Sequence, residues 1–475
     1  MKKALMIFAL ALLTTLFVSY SAFAGDITVI VNGTTVTFDG QGPVIIDGRT
    51  LVPIRGVFEQ MGFDVDWDEN TRQATLTRAD DVIIITIDSS TFTTNDTNRT
   101  LDVPAQIIGS RTLVPLRAVL ESVGYSLEWD GVTRTVVVSY GGVGEIPEYI
   151  VIRGERFSTG LISLRLDFSE LTNEDIEPLR YMTNLTWLDL QGNQISDLMP
   201  LSNLTNLIEL NLGHNQINDL GPLSNLTNLM LLDLRFNEIN DLTPLSDLTN
   251  LMRLFLRSNK INDLTPLSDS TNLIDLALGH NQVNDLMPLS GLINLTYLEL
   301  HNNQICDLTP LSDLINLTSL GLGGNQISNL APISALVNLR GLSISHNQIS
   351  DLSPISGLIN LLQLNFTSTQ IRDLSPISGL TNMTNLSLGF TPVSDLEPIS
   401  SMINLTVLDL EHIQVSDLTP LSGMKNLIWL SLTNSQVSDL TPLSNLASSA
   451  ILRLSGNPIT DWSPVSHIEN VHGRP

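Results

Sequence analysis

Seven histidines, one cysteine and 49 acidic side chains are the groups in this chain suited to hold a metal or move a proton. Their spacing argues against both. His214, His280, His346 and His412 recur every 66 residues, three turns of a 22-residue repeat. Stacked at strand spacing, three turns separate them by roughly 14 Å, too far to share one ion. His280 and His301 fall in neighbouring turns, but two ligands without a third make a weak site. Asp197, Asp219, Asp241 and their successors place one carboxylate in each turn, with Asn329 as the single exception. Each opens a DLxP segment, where an aspartate caps a short helical or 3₁₀ turn. A calcium ribbon is the competing reading, and one carboxylate per turn offers few oxygens for a cage. Cys306 stands in a column otherwise filled by Asn, Ser, Thr and Arg372, so a small-residue replacement explains it. An intermolecular disulfide is the alternative. No Gly-x-Ser-x-Gly, His-Glu-x-x-His or phosphate-cradling loop is present, and no nucleophile, base and orienting group can be assembled. Neither a catalytic residue, a metal nor a cofactor is expected.

The remaining chemistry is recognition. Aromatic residues fall at Trp187, Phe236, Phe255, Tyr297, Phe390 and Trp429, in positions between core leucines. Arg235, Arg253 and Arg257 cluster in adjacent turns of a chain with few cations, and Glu299 and His301 follow. Exposed aromatics beside arginine are the residues that anchor interfaces. These eleven residues are expected to form a protein-binding face, centred on Phe236, Arg253, Phe255, Arg257 and Tyr297. The alternative is free drift of solvent-facing positions.

The element that positions them is a repeat. From Leu185 a 22-residue register holds for thirteen turns to about Asn470, beginning LTWLDLQGNQISDLMPLSNLTN. The column Leu188, Leu210, Leu232 is Leu in every unit, and Ile195, Ile217, Ile239 is always Ile or Val. One unit cannot bury its own apolar face, so stacking is compulsory. Ser270 is the flaw, replacing Leu in the column Leu204, Leu226, Leu248. Asn193, Asn215, Asn237, Asn259, Asn281, Asn303, Asn325 and Asn347 form a ladder suited to satisfying the backbone where each strand turns away. It fails at Thr369, Thr391, Ile413 and Ser435 and returns at Asn457. The Asn-Leu-Thr triplets match a glycosylation sequon, but the repeat itself generates them.

The 22-residue unit is similar to the leucine-rich repeat, and its DLxPLSxLTN half most resembles the internalin-type surface proteins, over roughly 60% of the chain. The resemblance implies a curved parallel sheet, a convex side of 3₁₀ or short helices, and a concave face that grips a partner protein. Family features that would follow the repeats, an immunoglobulin-like domain and a wall-anchoring signal, are not seen. A host-cell receptor role is therefore not expected.

Ahead of the repeats, β-branched residues alternate at period two, which marks strands. A unit recurs 62 positions apart: RTLVPIRGVFEQMGFDVDWDENTR at 49–72 and RTLVPLRAVLESVGYSLEWDGVTR at 111–134. Pro53 and Pro115 suit the first turn of a helix, which should bury Val57, Phe58 and Met61 in the first copy. Gly62 and Gly124 suit its C-terminal cap, and a strand with Trp67 or Trp129 follows. Arg55 and Arg117 are open to two readings: a binding pair, or helix braces against Glu59 and Glu121. The doubled pattern resembles the domain named after the N-terminus of copper amine oxidases. It implies a sheet wrapped on a helix. No copper or oxidase activity is carried over, because residues 25–140 contain no histidine and no tyrosine lies in an Asn-Tyr-acid motif.

The organisation expected is a signal peptide (1–24), a doubled α+β domain with an antiparallel sheet packed on short helices (25–140), a linker and solenoid cap (141–184), thirteen leucine-rich repeats forming an α/β solenoid (185–470), and a tail (471–475). The signal peptide has a Lys2-Lys3 start, a 15-residue apolar stretch and Ala22-Phe23-Ala24 before the cut. An uncleaved anchor is the alternative, but a span needs about 20 apolar residues. Cleavage leaves 21 bases against 49 acids, a net charge of −28. That excess disfavours nucleic acid and anionic membrane surfaces as partners. A secreted or cell-surface monomer binding a protein is expected. The competing expectation is an envelope spacer whose N-terminal domain docks to a cell-wall polymer.

Overall fold

The computed structural model describes residues 27–474, apart from 32–33, 47, 79–80, 131–132 and 141–145. The expected signal peptide and the Gly141–Gly144 break lie outside the described residues. The chain divides into two compact units at residue 144.

In the first unit, the two RTLVP strands, Arg49–Pro53 and Arg111–Pro115, pair antiparallel. Val52 pairs with Val114, its own counterpart 62 residues on, while Leu51 pairs with Pro115 and Pro53 with Leu113. The duplication is therefore a local two-fold whose axis passes the Val52–Val114 pair. Each strand runs into a short helix, α1 (Ile54–Gln60) and α2 (Leu116–Glu121), which buries three apolar residues. Pro53 and Pro115 do not enter the first turn as expected. They sit one position earlier, with extended backbone (ψ 127° and 109°), and close the strand. Proline's fixed φ serves a strand end as well as a helix start. Met61 is buried but lies just beyond α1, as its cap. Gly62 and Gly124 then take left-handed conformations (φ +79° and +86°), which a side chain would resist. The Trp-bearing strands follow, Asp64–Asp68 and Tyr125–Asp130. Among the described residues of this unit the sheets are antiparallel except at one place: Thr28–Val31 runs parallel to Thr135–Tyr140, covering an edge that would otherwise lie open.

In the second unit, a hairpin of Tyr149–Ile152 and Glu155–Ser158 precedes a single parallel sheet of 15 strands. Thirteen are the regular strands from Trp187–Asp189 to Ile451–Arg453. Ser163–Arg165 and Asn470–His472 add one at each end. Pairing is in register, leucine on leucine, from Leu164 with Leu188 to Leu430 with Leu452. Each regular turn returns through a three-residue 3₁₀ segment with proline at its centre, as in Met199–Leu201. The core columns are almost wholly buried. Ser270 is buried too, and its hydroxyl finds no hydrogen-bond partner.

The asparagine ladder binds neighbouring turns to each other. Asn215 accepts from the Ile195 amide (3.1 Å) and donates to the carbonyls of Leu190 (3.0 Å) and Leu212 (3.1 Å). Thr369 and Thr391 donate only within their own turns, to Phe366 and Leu388, and Ile413 supplies nothing. Ser435 reaches back to Leu410, and Asn457 resumes the full pattern. A second asparagine ladder runs along the turn that leads into each strand. From Asn206 to Asn426, one amide per turn donates to a carbonyl 23 residues earlier, as Asn206 does to Thr183 (2.9 Å). The aspartate column acts as foreseen, with one refinement. Asp197 Oδ1 accepts from the Met199 amide (2.8 Å), an Asx turn one residue ahead of the 3₁₀ cap position, and Asn329 does the same for Ala331.

Candidate functional site: the open face of the parallel sheet

Because side chains alternate along a strand, three columns per turn leave the core for the open face: those of Trp187, Asp189 and Gln191. Nine of the eleven expected residues lie in these columns. Phe236 and Phe390 do not. They belong to the next column, the turn after the strand, where every residue has positive φ: His214, Phe236, His280, His346, Phe390 and His412 between +52° and +57°. There they stack on histidines of the neighbouring turn, His214 on Phe236 (4.2 Å between centroids) and Phe390 on His412 (4.4 Å). The result is a ring-stacked rim, not a part of the sheet face.

The face itself gathers a compact group. Arg235 is held against buried Asp233, its Nη2 2.6 Å from Oδ2, and its guanidinium lies 5.5 Å from the Phe255 ring centroid. Arg257 Nη1 stands 3.8 Å from Glu299 Oε1. Tyr297 donates to Glu299 Oε2 (2.9 Å). His301 Nε2 is 3.0 Å from Glu299 Oε1 but outside hydrogen-bond geometry, so that oxygen is buried without a donor. Arg257 Nε is likewise buried without an acceptor. These groups surround a hollow of about 290 Å³ lined by Arg235, Phe255, Arg257, Asp275, Tyr297 and Glu299.

Burial decides the protonation states. It pushes the Tyr297 hydroxyl up to about 12, assisted by the Glu299 charge. Glu299 is held below the usual carboxylate range by the His301 ring and then the Tyr297 hydroxyl, against the cost of burial. His280, on the rim beside Arg257, is lowered by burial and by the neighbouring His301 and Arg257. Among the described residues no three His, Cys, Asp or Glu side chains converge to hold a metal.

Other expected residues stand apart. Arg253 is exposed and 3.9 Å from Glu209. Trp187 and Trp429 share the face but are eleven turns apart, roughly 50 Å at strand spacing. Trp429 sits 5.8 Å from the Arg453 guanidinium. Gly279 is a site residue that sequence reasoning missed: a Cβ there would lie 2.7 Å from Glu299 Oε1 and 2.9 Å from His301 Nε2. In the first unit, Arg55 pairs with Glu59 (3.4 Å) and Arg117 with Glu121 (3.8 Å), each across one helical turn.

The profile of the copper amine oxidase N-terminal domain matches residues 30–138, and that of leucine-rich repeats matches 183–228 and 315–357. No curated protein matches. Among solved structures, an internalin (InlF) from Listeria monocytogenes is 30% identical over 67% of this chain and 89% of its own, with a TM-score of 0.56. The functional domain of InlJ from the same species, which includes a cysteine ladder, is 22% identical over 66% of this chain and 68% of its own (TM-score 0.57). A plant peptide hormone receptor, RGFR1 in complex with RGF2, is 19% identical over 69% of this chain and 67% of its own (TM-score 0.50). The last two share the fold alone. With a copper amine oxidase N-terminal domain ahead of its repeats, the chain belongs to the internalin-like leucine-rich repeat proteins.

Proposed function

We propose that this protein is exported and binds another protein on the open face of its repeat sheet, with no catalytic step. One observation carries the reading. The hollow between Phe255, Tyr297 and the two arginines holds a buried Arg257 Nε with no hydrogen-bond partner, beside a buried Glu299 Oε1 held only by the ion-pair contacts of His301 and Arg257. Buried polar groups without partners are costly, and an incoming chain that pairs with them recovers that cost. Aromatic and arginine side chains around such a hollow are the composition of an interface centre. Protein binding also suits the internalin likeness and the liganded plant receptor, since both present the same sheet. Export rests on the Lys2-Lys3 start, the apolar stretch and Ala22-Phe23-Ala24. Among the described residues no helix is long and apolar enough to cross a membrane.

The test is a photo-crosslinker at position 297, with partners identified by mass spectrometry, alongside the double variant Arg253→Glu, Phe255→Ala. The variant should lose the crosslinked partner while its thermal unfolding stays unchanged. Equal crosslinking by both proteins would refute the reading.

A further inference from the structure

The N-terminal unit contains two clefts, of about 510 and 460 Å³, that are copies of one another. The first takes Arg55, Glu59 and Trp67 from the first copy and Ile107 and Arg111 from the hairpin of the second. The second takes Arg117, Glu121 and Trp129 from the second copy and Ile45 and Arg49 from the hairpin of the first. Every pair is 62 residues apart. The exchange follows from the Val52–Val114 pairing: joining the two strands at the local axis carries each hairpin over the other copy's helix.

What the duplication kept is informative. Several buried or lining positions have diverged, with Gly56 against Ala118, Phe58 against Leu120 and Ala74 against Val136, while the strand and helix core keeps Leu51 and Leu113, Val52 and Val114, and Val57 and Val119. The cleft keeps Trp, Ile, Arg and Glu. Packing does not explain this, because Trp67 and Trp129 are 38% and 42% exposed and Ile45 and Ile107 49% and 48%. Large apolar side chains left open twice, at symmetric places, mark a surface that something covers. The charges beside them are paired: Arg55 with Glu59, Arg117 with Glu121, Arg49 with Asp102 (2.8 Å) and Arg111 with Asp39 (3.7 Å). Each cleft thus offers a partly exposed indole beside arginine–carboxylate pairs, without a net cation.

We infer that these clefts are twin sites for a neutral polysaccharide. A pyranose ring has apolar C–H faces and a hydroxyl edge, matching an indole platform with paired donors and acceptors beside it. An anionic polymer fits less well, because residues 25–140 carry 16 acids against 8 arginines. The cleft volumes lie within the range of about 300–1,000 Å³ usual for small-ligand sites. Two sites on one domain suit a repeating polymer, since one chain engaging both gains by effective concentration. This inference is independent of the sheet-face reading.

The experiment is co-sedimentation of the signal-cleaved protein with insoluble chitin, a neutral N-acetylglucosamine polymer, with N-acetylglucosamine hexamer as competitor. The protein should sediment and the hexamer should release it. Trp67→Ala or Trp129→Ala should each weaken binding by roughly tenfold or more, as avidity is lost. The double variant should stay in solution, and Trp→Phe at both positions should retain part of the binding. Ile45→Ser with Ile107→Ser, which leaves both indoles in place, should also weaken it. Arg253→Glu with Phe255→Ala should sediment normally, separating this result from any failure of the sheet-face reading. Wild-type protein that binds neither chitin nor hexamer, or a folded double Trp variant that binds as wild type, would overturn the inference.

Discussion

Tyr297 and Glu299, two residues apart on one strand, point to the same side of the sheet and share a 2.9 Å hydrogen bond from the phenol to Oε2. The bond ties the aromatic wall of the hollow to its buried carboxylate. The carboxylate's other oxygen faces His301 and Arg257. Burial, then the hydrogen bond to Glu299 and its charge, push the Tyr297 hydroxyl up to about 12. Glu299→Gln removes the charge and keeps the shape. The phenolate then meets no neighbouring anion, so its pKa should fall, while burial keeps it above the ordinary value of about 10. Difference ultraviolet titration of wild type against variant should show one tyrosinate step advanced to lower pH in the variant. An unchanged profile would detach Tyr297 from Glu299.

Gly279 should be intolerant of a methyl group. The missing Cβ is what lets Glu299 and His301 lie across that strand. Gly279→Ala should displace both and alter partner binding far more than overall stability. Comparing the variant's thermal unfolding with its crosslinking yield at position 297 checks this.

Ser270→Leu should stabilise the protein. The serine is buried among leucines of the adjacent turns, Leu248 and Leu292, with its hydroxyl unpaired. An unsatisfied buried polar group costs about 1–3 kcal/mol, and leucine both removes it and fills the column. The free energy of unfolding from chemical denaturation should rise by an amount in that range, seen as a higher midpoint at unchanged slope. A fall would mean the turn has closed around the smaller side chain and resists refilling.

Much of this architecture was legible in the sequence because the repeat averages over thirteen turns. Leu188, Asn193 and Asp197 could be read as columns, and the structure gives each column a single role. Two things escaped. The column of Phe236 and Phe390 was placed on the sheet, although Gly192, Asn302, Gly324, Asn434 and Gly456 share it. Glycine and asparagine in one column signal left-handed backbone, hence a turn after the strand. The Asn206–Asn426 ladder escaped because an asparagine before a core leucine has no local signature of its role, which only the carbonyl 23 residues earlier reveals. In the N-terminal unit the duplication was visible, but the exchange of hairpins was not. It depends on Val52 pairing with Val114, a long-range contact with no local signature.

The first ladder's interruption should be measurable. Between Thr369 and Ile413 the side chains no longer tie one turn to the one before, whereas Asn215 through Asn347 do so at every step. Repeats nine to twelve should therefore exchange amide hydrogens faster than repeats two to six, with partial recovery at Ser435. Ile413→Asn should slow the exchange of Val393, whose amide occupies the place of Ile195 in the intact pattern. Slower exchange in the wild-type interruption than in the early repeats would refute the ladder's role.

Acid should weaken the solenoid through its aspartate column. Asp307, Asp351, Asp373, Asp417 and Asp439 are all held below the usual carboxylate range, by a Thr or Ser side chain and then by the backbone amide two residues on. A carboxyl whose folded pKa is depressed stabilises the fold above its unfolded pKa, about 3.9 for Asp. That stability is lost as pH falls through the folded value. Asp189 and Asp409 oppose this, since burial raises them, but they are two against a column. The thermal midpoint should therefore drop below about pH 4. Asn329 shows that an amide keeps the turn: it accepts from the Ala331 amide at 2.9 Å, as the aspartates do from theirs. Replacing Asp351, Asp373 and Asp417 with Asn should retain the turns, relieve repulsion between stacked carboxylates and flatten the acid limb of a stability-against-pH curve. If the triple variant follows the wild-type curve below pH 4, the acid sensitivity lies elsewhere.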